Sequence, residues 1–259
     1  MKAAICIACL IAVAILLARG QGPTIPGTTV QARLAREKTN AVIGYRTLTN
    51  LLDSGNTTEY ATPAFTPTAW ALVIAAVVTS DTVLPDAHAL TSLHGTWNQI
   101  QNANFNVLAT PLSRVSVWYT MSATATSSTL TNKFAGAATG CAIFVCEFTG
   151  VNTNEPSGVS AIRQSASQVA DATANPSLSL GAAMMAHSRN AGFAAFANDV
   201  NPFGGIQEGG WTEDFDNGYN TPATGAYVAH ILATTDNSFS CTASSSDLGL
   251  IVLEILVEQ

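Results

Sequence analysis

From about residue 58 onward the chain alternates short apolar or β-branched runs with clusters of turn-forming residues. That spacing constrains the fold more than any other feature. The connections are too short for regular helical crossovers, so the strands must pair antiparallel. The strand candidates are Trp70–Thr79, Asn106–Ala109, Arg114–Met121, Ser128–Phe134, Cys141–Phe148, Gly225–Ala233 and Leu248–Val257. Turn clusters at Asp53–Thr57, Gly150–Gly158, Asn198–Gly210, Asp216–Pro222 and Thr234–Ser238 separate them.

Two of these runs are diagnostic. In Arg114–Met121 the residues Val115, Val117, Tyr119 and Met121 face one way, and Arg114, Ser116, Trp118 and Thr120 the other. Cys141–Phe148 is apolar on both faces, as a central strand is. Ser177–His187 reads as strand or helix; the Ala and Met content of residues 181–197 favours helix, whereas the flanking pattern favours a strand pair. Arg33–Leu52 has a weak helical pattern, and no internal repeat stands out. The expected fold is all-β, a jelly-roll or concanavalin-like antiparallel β-sandwich preceded by an apolar segment.

Composition narrows the setting. Apolar residues make up 47% of the chain, enough for a substantial core, and charged residues only 10%. Soluble domains usually carry roughly 25% charged residues. Thr, Ser, Asn and Ala take their place, a surface more common in shells, fibres and secreted proteins than in metabolic enzymes. Residues 1–46 hold six basic residues (Lys2, Arg19, Arg33, Arg36, Lys38, Arg46) and one acid, Glu37, a net of +5. The remainder holds four basic and sixteen acidic residues, a net of −12. Such a body repels a phosphate backbone, so nucleic acid is not an expected partner.

The N-terminus divides the chain into three. Residues 1–20 combine Lys2, the uncharged run Ala3–Ala18 and the breaker Arg19-Gly20. They read as a cleaved secretion signal, a retained membrane anchor through residues 3–18, or an apolar helix held in an assembly. Residues 21–57 read as a basic linker or attachment arm, and residues 58–259 as the sandwich.

The motifs of common catalytic sites are missing: no GxSxG, HExxH, GxxxxGK[ST] or GxGxxG occurs. Glu147 and Glu254 each follow an apolar run, where an unpaired carboxylate is costly. They either flank a sugar as a hydrolytic pair or end their strands beside Arg114 or Arg163. The segment Glu208–Asn220 concentrates Glu208, Glu213, Asp214 and Asp216 beside aromatics. Glu213, Asp214 and Asp216 are calcium candidates, and Trp211 and Tyr219 a candidate sugar-stacking surface; a plain turn is the alternative. His88, His94, His187 and His230 are too scattered for an evident metal site. No catalytic or cofactor-binding residue is assigned. Cys6 and Cys9 lie in the apolar run, Cys141 and Cys146 point to opposite faces of one strand, and either could meet Cys241. Asn56-Thr57-Thr58 is a glycosylation sequon.

The segments ATPAFTPTAWALVIAAVV, RVSVWYTMSA, TGCAIFVCEFTGVNTNEPSGVSAIRQSAS, GGWTEDFD and LGLIVLEI together resemble jelly-roll-like modules of tailed-phage structural proteins and bacterial surface proteins. The third segment, with Glu147-Phe148-Thr149-Gly150-Val151 before an Asn- and Pro-rich loop, is the most specific. The resemblance implies a structural or adhesive β-sandwich with no catalytic site. The expected function is therefore a non-enzymatic structural protein of a virion or extracellular surface assembly. Its expected partners are other assembly proteins, met through residues 1–46, and further copies of itself. A secreted carbohydrate-binding module is the alternative, and a polysaccharide-acting enzyme a distant one.

Overall fold

The computed structural model describes residues 41–81, 88–105, 112–181, 189–207, 209–243 and 245–258. The candidate strand Asn106–Ala109, His187, Glu208 and residues 1–40 lie outside them. Residues 41–258 cluster as one compact unit.

The body is nearly all strand, as expected. Its first half contains β1 (Gly44–Asp53), β2 (Thr57–Ala61), β3 (Leu72–Asp81), β4 (Ala89–Thr91), β5 (Asn98–Phe105), β6 (Leu112–Met121), β7 (Thr131–Ala138) and β8 (Gly140–Thr149). A 3₁₀ turn, Val159–Ala161, leads into the second half. There follow β9 (Ile162–Thr173), β10 (Ser177–Ser179), β11 (Ala191–Asn198), β12 (Ile206–Gln207), β13 (Thr212–Asn220), β14 (Ala223–Ile231), β15 (Ser238–Thr242) and β16 (Ser246–Ile255).

The two halves have the same topology. In the first, a five-stranded sheet runs β1-β8-β3-β6-β5 and a three-stranded sheet β2-β7-β4. In the second, the sheets run β9-β16-β11-β14-β13 and β10-β15-β12. Counted from one within each half, both read 1-8-3-6-5 and 2-7-4, with every pairing antiparallel. The repeat that the sequence does not display is thus present in the strand order.

Period-two side-chain alternation explains the layering. On β3, Val73, Ala75 and Val77 face the first half's own small sheet, where they meet Tyr60, Leu90, Leu130 and Phe134. Leu72, Ile74, Ala76 and Val78 face the other way. On β11, Ala194 and Phe196 pack with Leu178 and Phe239 of the second half's small sheet, while Phe193, Ala195 and Ala197 face outward from it. Those outward faces meet: one apolar core joins Leu72, Ile74, Val117 and Phe144 to Phe193, Val228, Ile251 and Leu253. The five-stranded sheets therefore lie face to face, and each also covers its own three-stranded sheet. β5 lies beside β9 and β1 beside β13, so the contact of a fifth strand with a first strand occurs twice.

Close approach across this central layer needs small residues. Ala76 and Ala195 line the same small void between the sheets. A Cβ on Gly249 would sit 2.8 Å from Val115 Cγ1 and 3.0 Å from Phe105 Cδ1, so β16 can rest on β5 and β6 only with glycine there.

Three features depart from the sequence pattern. Residues 44–53 are not part of a linker: β1 pairs with β8 along its length, with one irregularity between Thr47 and Thr49. The weak helical pattern read over Arg33–Leu52 does not hold from Gly44 onward, where the chain is strand. Residues 191–197 are strand, because alternate burial on both faces outweighs the helix propensity of alanine. Finally, much of the acidic segment Glu208–Asn220 is not a loop; Thr212–Asn220 is edge strand β13, paired with β14.

Candidate functional site

The two isolated carboxylates singled out by sequence occupy matching positions. Glu147 lies opposite Arg46 across β8 and β1, and Glu254 lies opposite Gln164 across β16 and β9. Each points to the side of its own small sheet, alternating with Cys141, Ile143 and Val145 in one case and Leu248, Leu250 and Val252 in the other.

Glu254 is fully buried. Its carboxylate accepts from Arg163 Nη1 at 2.9 Å, Gln164 Nε2 at 2.6 Å and Asn190 Nδ2 at 2.8 Å. Glu147 is also buried, and accepts from Arg46 Nε at 3.0 Å, the Thr68 backbone N–H at 2.6 Å and the Thr68 hydroxyl at 2.8 Å. Arg46 Nη2 lies 2.8 Å from the same carboxylate. Charged groups so placed are satisfied by the protein itself, the condition under which a buried carboxylate is tolerated. Arg163 is the partner expected for one of them; Arg114 instead donates to Asn104 Oδ1 at 2.7 Å.

The environments of the two carboxylates differ at the surface. Beside Glu147 is a groove of about 310 Å³ lined by Gly44, Tyr45, Arg46, Thr68, Glu147 and Thr149. The Arg46 side chain, 56% exposed, forms its open wall, while Glu147 is 3% exposed. Thr68 begins a four-residue turn closed by the Ala71 N–H donating to the Thr68 carbonyl at 3.1 Å. Trp70, the third residue of that turn, has φ +63° and is 49% exposed. Its N–H donates to the Ser122 carbonyl at 2.8 Å, and Arg46 Nη2 donates to the Thr66 carbonyl at 3.2 Å. Sequence reasoning passed over Trp70 because Trp70–Thr79 reads as one continuous strand; the Thr66-Pro67-Thr68 turn signal immediately before it was the available clue.

Behind Tyr45 the halves share a second polar cluster. The His230 ring stacks on Tyr45 with centroids 3.7 Å apart, and His230 Nδ1 lies 2.8 and 2.9 Å from the two Asp214 carboxylate oxygens. Burial, followed by the nearby Cys146 and Asp214, pushes the Tyr45 phenol well above its ordinary range. Burial and then Asp214 push the Cys146 thiol up as well. A nucleophilic cysteine needs the opposite shift, so Cys146, His230 and Asp214 do not make an activated thiolate.

The remaining candidates are structural. Asp214 is held by His230, and Asp216 accepts from the Gly204 N–H at 3.1 Å. Burial raises the carboxyl of Asp216, and burial with the neighbouring Asp216 and Asp214 raises that of the largely exposed Glu213. Among the described residues no group of three or more His, Cys, Asp or Glu is placed to hold a metal. Trp211 and Tyr219 are not a ligand surface but core residues. Trp211 Nε1 donates to the Ser238 carbonyl at 3.1 Å. Tyr219 OH lies 2.8 Å from Ser80 Oγ, which also meets Ser113 and Thr224 hydroxyls at 2.9 and 3.0 Å. The strand places their aromatic faces inward, which loop-like spacing had concealed.

His88 and His94 are buried separately. His88 sits between Trp118 and Phe134 with Nε2 3.1 Å from Ser116 Oγ, and His94 Nε2 is 2.9 Å from the Thr126 carbonyl. Cys141, Cys146 and Cys241 lie in three different apolar clusters, and no disulfide joins Cys241 to either of the others.

Comparison with protein-family models, with curated proteins and with solved structures found no match to this chain.

Proposed function

We propose that the protein is a non-enzymatic structural component of a virion or extracellular surface assembly, with a duplicated jelly-roll body held by an N-terminal arm. The observation that carries this reading is the fusion of two eight-stranded units across an apolar layer shared by both five-stranded sheets. The strand order 1-8-3-6 beside 2-7-4 is similar to that of a jelly roll, an arrangement common in shell proteins, with the fifth strand added to the larger sheet instead of the smaller. Much of the chain's apolar sequence serves to weld the halves into one block, and the best-placed carboxylates serve as internal ties.

The charge of the arm supports the same reading. Residue 41, where the arm joins, and the other end of the described chain meet at Gly150. A Cβ there would collide with the Val42 carbonyl, and the Glu258 N–H donates to the Gly150 carbonyl at 2.8 Å. Arg46 belongs to β1, so the arm, residues 1–40, retains Lys2, Arg19, Arg33, Arg36 and Lys38 against Glu37, a net of +4. Its basic charge would steer it to acidic groups, an attraction weakened by salt. Its apolar run would take lipid or partner helices.

Deleting residues 1–40 tests the proposal. The truncated body should keep its β-rich circular dichroism and cooperative melting, yet fail to join the particle or surface from which the full chain is recovered. Normal incorporation of the truncated body would place the attachment surface on the sandwich and overturn the proposed role of the arm.

A further inference from the structure

We propose that Asn217-Gly218 on β13 is a site of spontaneous covalent modification, where the Asn217 side chain closes on the Gly218 nitrogen, loses ammonia and becomes aspartate or isoaspartate. It is the one Asn-Gly pair in the chain. Asparagine is among the thermally labile residues. The route of its loss is attack by the following backbone nitrogen on the side-chain carbonyl carbon.

The geometry favours that attack. The Gly218 N–H donates to Asn217 Oδ1 at 2.8 Å. A hydrogen bond between adjacent residues closes a small ring, so it also brings the side-chain carbonyl carbon near the same nitrogen. Reacting groups already held together avoid most of the entropic cost of meeting. Glycine has no Cβ to obstruct the closure. Packing demands glycine there, because a Cβ at 218 would collide with the Thr224 carbonyl across the hairpin. The labile pair is thus a consequence of how β13 meets β14.

Its place in the sheet leaves it open to water. β13 is an edge strand, laddered to β14 on one side. Asn217 is exposed, while Tyr219 two residues later is buried. Exposed segments with few buried contacts open locally at low cost, which gives Asn217 room to rotate into the ring.

The reaction needs no partner but water. The Gly218 nitrogen gives up its proton and bonds to Asn217 Cγ. The Cγ–Nδ2 bond breaks, and Nδ2 leaves as ammonia with that proton. Water then adds to one of the two carbonyl carbons of the cyclic imide and breaks that carbon's bond to the Gly218 nitrogen. Opening at Cγ leaves aspartate. Opening at the main-chain carbonyl leaves isoaspartate, whose backbone runs through the side chain and is one methylene longer.

That extra length falls just before a residue that ties the halves together. The Tyr219 ring lies over Gly140, where a Cβ would collide with it, and its hydroxyl is 2.8 Å from Ser80 Oγ. Gly140 and Ser80 belong to the first half and Tyr219 to the second. Isoaspartate therefore displaces an inter-half contact, and either product adds a negative charge beside Asp216. The chemistry is independent of the assembly role proposed above.

The test ages the purified full chain in detergent at mildly alkaline pH, with a portion unfolded in urea alongside. Chymotrypsin, cutting after Phe215 and Tyr219, releases residues 216–219 as one peptide for mass spectrometry. The folded sample should lose the amide at position 217 and gain one negative charge per chain, ahead of any change at the exposed Asn56 and Asn154. Conversion confined to the urea sample, or slower than at Asn56 or Asn154, would overturn the proposal. Asn217→Gln, whose longer side chain must close a larger ring, should stay unconverted. Fresh wild type and Asn217→Gln should melt alike, and aged wild type should melt below the aged variant. Equal melting after full conversion would overturn the effect on the Tyr219 contact.

Discussion

Glu147 and Glu254 are counterparts: each is a buried carboxylate in the eighth strand of its half, and each accepts from the residue directly opposite on the first strand, Arg46 or Gln164. The shared geometry ties a first strand to a last strand at the end of an apolar layer. Their duplication is more simply explained by fold than by chemistry, since the two groups belong to different halves and point to different small sheets.

Replacing Glu254 should therefore reduce stability. In Glu254→Ala, Arg163, Gln164 and Asn190 lose their shared acceptor within the protein. Breaking a buried charged pair from one side costs about 3–5 kcal/mol, and the partial exposure of Arg163 places the expected loss toward the lower end. Glu254→Gln should be milder because it retains one acceptor oxygen. Urea denaturation checks both variants; an unchanged midpoint for Glu254→Ala would show that the tie does not hold the strands.

Much of the architecture was legible in residue patterns. The period-two run Val115, Val117, Tyr119 and Met121 faces the central layer as expected, with Trp118 on the other side. Cys141 and Cys146 likewise divide between two cores. Edge strands were harder to read. β1, β9 and β13 bury few side chains fully, so Thr, Ser, Gln, Asn and Asp dominate their sequences and resemble linker or loop. The repeat was hidden for a related reason. Two β layers require only apolar alternation, so equivalent strands preserve pattern while identities drift. Ala75-Ala76 corresponds to Ala194-Ala195, Val117 to Val228 and Glu147 to Glu254, whereas Ile74 corresponds to Phe193 and Trp118 to Ala229. The site was less legible than the fold because exposure decided it: Trp211 and Tyr219 are buried while Trp70 is not.

The shared central layer predicts that neither half is stable alone. Residues 41–157 would expose Leu72, Ile74, Val117 and Phe144, and residues 158–258 would expose Phe193, Val228, Ile251 and Leu253. Contiguous apolar faces of this kind drive association or aggregation. Expressed separately, the fragments should be insoluble or self-associated; expressed together, they should co-purify as a one-to-one complex with β-rich circular dichroism. A soluble, cooperatively melting monomer of either fragment would contradict the indispensable role given to the central layer.

Acidification should weaken the fold through His88. Burial first, and then the charge of Arg114, lowers its pKa from 6.5 to about 4. The unfolded chain thus takes up this proton at a higher pH than the folded chain does. The contribution to stability is present above pH 6.5 and declines as pH falls through the interval to about 4. Complete loss would amount to roughly 3 kcal/mol. His94 shifts in the same direction, again chiefly through burial, so it adds to the slope. Denaturant midpoints measured from pH 7 to pH 4 should fall in the wild type and fall less in His88→Phe, which removes the titrating ring while retaining an aromatic between Trp118 and Phe134. Parallel pH profiles for the two proteins would show that protonation of His88 is not coupled to unfolding.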